Sequence, residues 1–76
     1  MPPRKPRWTG RQLVTALEAF GFEIRRRRGS HVFLGHPDGR TTVVPVHRGE
    51  VLGPCLLGKI LRDVDLTAAQ LVAGPP

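Results

Sequence analysis

The sequence is poor in cysteine and lacks long apolar runs. Its 76 residues include a single cysteine, Cys55, which excludes an intramolecular disulfide and leaves a cysteine-based zinc site without its other ligands. No uninterrupted apolar stretch in the sequence approaches the roughly 18 to 20 residues that span a bilayer, and the proline- and arginine-rich start lacks the apolar core of a signal peptide. We therefore expect a cytoplasmic protein without a membrane segment.

Acidic residues are also scarce relative to basic ones. Six Asp and Glu stand against 12 Lys and Arg, which gives a formal net charge of +6 and a calculated pI of about 11.4. Such a balance favours phosphate-rich partners, because binding releases the counterions condensed on a nucleic acid. An acidic protein partner would fit the same composition.

The length allows one domain with a modest core. We predict a flexible basic arm over residues 1–7, a single domain over residues 8–73 and a short tail over residues 74–76. Thr9 and Gln12 have the spacing of a capping box, and Gly21 suits the end of the helix that follows. The apolar positions of this helix recur at helical spacing: Leu13, Leu17 and Phe20.

Three strands are predicted next, over residues 22–28, 31–36 and 41–46, with turns between them. Apolar spacing predicts a second helix that starts near Pro54, and Thr67 with Gln70 predicts a short last helix. The resulting α-β-β-β-α order indicates an α+β fold in which helices cover one face of a three-stranded antiparallel sheet. The same order is that of the double-stranded-RNA-binding domain, which is an analogy of fold alone.

His31 is the candidate catalytic residue. Alternation places Val32 and Leu34 in the core, so His31 and Phe33 should lie on the open face of the sheet. A histidine can act as a general base near neutral pH, although a polar residue that simply begins a strand would fit the same position.

Basic and aromatic residues surround this histidine. Arg25 to Arg28 directly precede Gly29-Ser30-His31, and alternation places Arg25 and Arg27 on the face of His31. Those two arginines could bind phosphates, and Phe33 could stack against an unpaired base. Phe33 could equally be covered by a tail or by a protein partner.

The remaining candidates are weaker. His31 and His36 are five residues apart on one predicted strand, so they should face opposite ways and share no metal. We predict no metal site and no cofactor. His47 could be a second acid or base, or a polar loop residue, and Cys55 fits packing better than nucleophilic chemistry.

Seven short motifs follow one another in a fixed order along the chain. They are Gly21-Phe22, Arg25 to Arg28, Gly29-Ser30-His31, His36 to Arg40, Val44-Pro45-Val46-His47, Ile60-Leu61-Arg62-Asp63 and Leu66-Thr67. Taken together, these motifs resemble the HicA-type toxins of bacterial toxin–antitoxin pairs, and the resemblance runs from about residue 9 to residue 67. One departure is Cys55-Leu56-Leu57, where the family usually reads Gly-Thr-Leu.

The resemblance implies a fold like that of the double-stranded-RNA-binding domain and a metal-independent endoribonuclease that cleaves mRNA. It also implies a HicB-type antitoxin that covers the site, and His31 as the catalytic residue. We accordingly predict that the RNA-binding residues are Arg25, Arg27, Gly29, Ser30 and Phe33. A non-catalytic RNA-binding module and a protein-interaction domain that uses the basic face are the alternatives.

Overall fold

The computed structural model describes residues 7–76, so the predicted N-terminal arm lies outside the described residues except for Arg7. The predicted α-β-β-β-α order is confirmed, with a short third helix at the end. Within residues 7–76, no helix is both long and apolar enough to cross a membrane. The elements are α1 (Gly10–Ala19), β1 (Glu23–Arg28), β2 (His31–Gly35), β3 (Thr41–Pro45), α2 (Pro54–Val64) and α3 (Ala68–Ala73).

Two capping boxes begin α1 and α3, as the sequence predicts. The Gln12 backbone N–H donates to the Thr9 hydroxyl at 3.2 Å, and the Thr9 N–H donates to the Gln12 side-chain oxygen at 3.0 Å. Thr67 and Gln70 repeat this exchange at α3. Each pair satisfies two N–H groups that a helix start would otherwise leave unpaired. By contrast, α2 begins at Pro54 without a side-chain cap.

The sheet is an antiparallel meander in the order β1-β2-β3. Val32 and Leu34 are 2% and 1% exposed, so the predicted core face of β2 is confirmed. Helix residues complete this core, which leaves the other face of the sheet without a helix. The buried hydrophobic residues are Leu13, Val14, Leu17, Phe22, Val32, Leu34, Val44, Leu57, Ile60, Val64 and Leu71.

The strands differ from the predicted ranges by one residue at one end each. The largest consequence is at His36, which was predicted to end β2. Its N–H donates instead to the Arg40 carbonyl at 2.8 Å, so His36 opens the turn that connects β2 to β3.

A bulge in β1 changes which arginines share a face. Ile24 pairs with Leu34, but the next pair is Arg26 with Phe33, so Arg25 is the extra residue. Arg27 then lies opposite the buried Val32, on the helix side of the sheet. The predicted placement of Arg27 beside His31 is therefore wrong.

The start of α1 makes a close approach to the end of β3. A Cβ atom built on Gly10 would lie 2.1 Å from the Pro45 carbonyl oxygen, a distance that no side chain tolerates. Gly10 is buried, and its missing side chain lets the first turn of α1 rest on the β3 backbone. A glycine here therefore fixes where β3 ends relative to α1.

We predict that Gly10→Ala lowers the free energy of unfolding by about 1 to 3 kcal/mol, because the new methyl group must displace backbone atoms. The matched control is Gly58→Ala in α2, where a built Cβ would lie 3.6 Å from its nearest neighbour, a side-chain nitrogen of Arg62. That change should raise stability by up to about 1 kcal/mol through helix propensity. Urea unfolding of both variants checks the prediction, and a stabilised Gly10→Ala protein would contradict it.

Candidate nucleic-acid interface

The face of the sheet without helices carries His31, as predicted. His31 is exposed and lies at the start of β2, paired with Arg28 on one side and Pro45 on the other. Side chains of directly paired residues in a sheet point to the same face. An imidazole and a guanidinium group therefore stand side by side at one end of the open face.

The turn before His31 has two residues. Gly29 adopts φ of +58°, in the left-handed region that favours glycine, and it is exposed with open space around its α-carbon. This conformation closes the hairpin between Arg28 and His31. Gly29 thus has a structural role in placing His31, and its predicted contact with RNA stays a prediction.

Arg26 occupies the position that alternation assigned to Arg27. Its guanidinium carbon lies 5.0 Å from the centroid of the Phe33 ring, within the range of a cation–π contact. Phe33 is consequently half-buried, where the sequence predicted an exposed ring. A base that stacks on this ring would have to share it with the arginine or displace it.

Arg25 lies on the open face but at the far end of β2 from His31. A Cβ built on Gly35 would be 3.1 Å from the Arg25 Nε atom, so the arginine side chain crosses over the glycine and buries it. The structure therefore puts Arg25 on the predicted face but not next to His31.

Ser30 brings a second histidine to the same end of the sheet. The Ser30 carbonyl accepts a hydrogen bond of 2.7 Å from the Val46 N–H, and the Ser30 hydroxyl oxygen lies 3.5 Å from Nε2 of His47. His47 is exposed. This contact between a turn and the residue just beyond β3 could not be read from the sequence, because the two lie 17 positions apart.

His36 is separated from this group by its own packing. Its ring lies edge-on to Phe22 with centroids 5.1 Å apart, and its Nδ1 atom accepts the Asp38 N–H at 3.1 Å. His36 thus has a structural role in the turn after β2. Among residues 7–76, no three His, Cys, Asp or Glu side chains are grouped as metal ligands would be.

Arg40 connects this turn to α2, a contact that was not predicted from the sequence. Its Nε donates to the Asp38 carboxylate at 2.8 Å, and another guanidinium nitrogen donates to the Val64 carbonyl in the last turn of α2. The guanidinium carbon also lies 5.1 Å from the centroid of the Phe22 ring. In the sequence, Asp38-Gly39-Arg40 predicted a turn but not the contact of Arg40 with α2.

A comparison with known protein families gives one match. The family described as the HicA toxin of bacterial toxin–antitoxin systems matches residues 10–66. The chain belongs to the HicA toxin family. No curated protein matches the chain. As a HicA toxin it is one component of a toxin–antitoxin system, a type of system in which a cognate antitoxin is the partner.

The turn from His36 to Arg40 of this HicA toxin also lowers the pKa of Asp38. The Arg40 backbone N–H donates to the Asp38 carboxylate at 3.1 Å, and this hydrogen bond is the main cause that lowers the pKa of Asp38 below its usual 3.8. The Arg40 side chain adds to the effect. The folded state therefore binds a proton at Asp38 less readily than the unfolded state does.

From this shift we predict that the HicA fold loses stability in acid. A lowered pKa stabilises the folded state above the usual pKa of the group, and that contribution disappears as the pH falls through the folded value. The free energy of unfolding should thus fall as the pH drops through and below the usual value of 3.8, and Asp38→Asn should make the fall shallower. A smaller fall should remain, because the Lys59 ammonium lowers the pKa of Asp63 in the same direction.

Urea unfolding at a series of pH values measures this effect. The control is Asp65→Asn, which removes an exposed carboxylate that makes none of the Asp38 contacts. The interpretation of the turn would be contradicted if Asp38→Asn and Asp65→Asn gave the same pH dependence.

Proposed function

We propose that this HicA toxin is an endoribonuclease that binds mRNA on the open face of its sheet and cleaves it with His31. The observation that carries the proposal is the exposed imidazole of His31 beside Arg28, on the sheet face that the helices leave uncovered. A proton acceptor next to a permanent cation is what cleavage of a phosphodiester needs. Family membership supports a nuclease of this kind.

His31 acts as the general base in this mechanism. Its neutral ring takes the proton from a ribose 2′-hydroxyl, and that oxygen attacks the adjacent phosphorus. The bond from phosphorus to the 5′-oxygen then breaks, which leaves a 2′,3′-cyclic phosphate and a 5′-oxygen that must gain a proton to become a hydroxyl end. Arg28 stabilises the charge that develops on the phosphoryl oxygens.

The other open-face residues bind the RNA chain. Arg25 and Arg26 hold phosphates along the sheet, while the exposed Gly29, next to the half-buried Ser30, lets the RNA chain approach the turn before His31. The side of the Phe33 ring away from Arg26 offers a surface for a base. Because Arg27 points to the other face, it contributes less than its neighbours.

Two further parts of the proposal follow from the same chemistry. Proton transfer by an imidazole needs no metal ion, so the cleavage is metal-independent. The partner is a HicB-type antitoxin that covers the open face, and acidic groups on it would complement Arg26 and Arg28. RNA and antitoxin then compete for one surface.

We predict that His31→Ala slows cleavage of a single-stranded RNA by at least about 100-fold, since removal of a general base costs 10²- to 10⁴-fold. Thermal unfolding should be nearly unchanged, because the side chain is exposed. The measurement is the rate of product formation on a sequencing gel, with and without a chelator, and the chelator should leave the parent rate unchanged.

The outcomes of this experiment separate the alternatives. Cleavage by His31→Ala at the parent rate would remove His31 from the mechanism, and a strict need for a divalent ion would overturn metal independence. Salt-dependent RNA binding by a parent protein that does not cleave would favour a non-catalytic RNA-binding module.

We also predict that Arg26→Ala and Arg28→Ala each flatten the salt dependence of RNA affinity by about 0.7 in the log–log slope, the value for one lost phosphate contact on a single strand. Arg27→Ala is the control, because it removes the same charge from the other face of the same strand. The log–log slope of RNA affinity against salt for this variant should therefore stay closer to that of the parent. Fluorescence anisotropy with a labelled RNA in His31→Ala protein measures all three. Equal slopes for Arg27→Ala and Arg28→Ala would show that the face of the sheet does not select the phosphate contacts.

A further inference from the structure

The mechanism above leaves the 5′-oxygen without a proton donor. An alkoxide is a poor leaving group, so a general acid on the opposite side of the phosphorus would speed the step. Because attack and departure occur in line, one group cannot easily face both oxygens at the same time. The structure offers a second histidine in a suitable place.

His47 lies at the same end of the open face as His31. Pro45 pairs directly with His31, and the hydrogen bond from the Val46 N–H to the Ser30 carbonyl continues the strand pairing by one more residue. His47 is therefore near the diagonal position from His31, and diagonal neighbours in an antiparallel pair are about 7 to 8 Å apart. At that spacing, two imidazole rings can contact opposite sides of one phosphodiester.

The surroundings of His47 leave its ring accessible to a substrate. Val46 packs against the core, whereas His47 is exposed and its Nε2 atom lies 3.5 Å from the Ser30 hydroxyl oxygen. The ring is thus held beside the turn that positions His31 but is not buried. The distance is at the long end for a hydrogen bond, so a substrate oxygen can readily replace the hydroxyl as partner.

We propose that His47 is the general acid of the cleavage step, an assignment that rests on the proposed ribonuclease function. Protonated His47 gives its proton to the 5′-oxygen as the bond from phosphorus to that oxygen breaks, while His31 holds the proton from the 2′-hydroxyl. Each histidine ends the step in the protonation state opposite to its initial one. Proton exchange with water restores both, and no further reactant is needed.

The experiment compares two RNA oligonucleotides that differ in one atom. The parent enzyme first identifies its cleavage site on a single-stranded RNA, and a second oligonucleotide then carries sulfur in place of the bridging 5′-oxygen at that linkage. A thiolate leaves without being protonated, so cleavage of the sulfur linkage needs the base but not the acid. The variants are His47→Ala, His47→Gln and His31→Ala.

We expect both His47 variants to cleave the oxygen linkage about 10²- to 10⁴-fold more slowly than the parent, and to keep most of the parent rate on the sulfur linkage. His31→Ala should lose activity on both. Gln retains a hydrogen-bonding group toward Ser30 but cannot transfer a proton, so it separates the acid from a positioning role. Because His47 is exposed, thermal unfolding of its variants should match that of the parent.

Four outcomes would overturn the assignment. Equal losses on the two linkages would show that His47 does not protonate the leaving group. Parent-like cleavage of the oxygen linkage by His47→Gln would show that the ring only positions Ser30. If the parent cleaves neither RNA, the ribonuclease function itself fails; if His31→Ala alone loses activity, only the role of His47 fails.

Discussion

The close approach of Gly10 to the Pro45 carbonyl is the constraint on which the candidate site depends. It fixes the end of β3 against α1, and Pro45 is the strand partner of His31. The same strand end carries Val46, whose N–H holds the Ser30 carbonyl, and then His47. A small shift of α1 would therefore change the positions of both histidines, although neither belongs to the helix. The site is built from a turn and a strand end, and it takes its precision from a buried glycine outside the sheet.

Much of the fold could be predicted from the sequence, because each signal was local and physical. The spacing of Thr9 and Gln12 predicted the start of a helix, and the alternation of apolar residues predicted that Val32 and Leu34 lie in the core. The bulge at Arg25 could not be predicted. Four consecutive arginines carry no contrast between polar and apolar positions, so nothing in the run fixes the register of its far end. The error in the face of Arg27 follows directly from that missing contrast.

The turn from His36 to Arg40 shows a second limit of sequence reading. Its glycine and aspartate predicted a tight turn, which is present, but the contact of Arg40 with the end of α2 joins residues 24 positions apart. Such a contact depends on how the helix packs, and no local pattern encodes it. The candidate site shows the same contrast. His31 was predicted from its neighbours in the chain, whereas the approach of His47 to Ser30 is visible only in the folded sheet.

The sequential order of the three strands affects how soon after synthesis the toxin folds. Strands that are neighbours in the chain and joined by short turns make local contacts, and proteins rich in such contacts fold quickly. The open face is assembled from one continuous stretch of chain in the middle of the sequence, between α1 and α2. A newly made chain therefore forms this face of the sheet soon after synthesis. Under the proposed function, an antitoxin that covers this face must therefore be present when translation of the toxin ends.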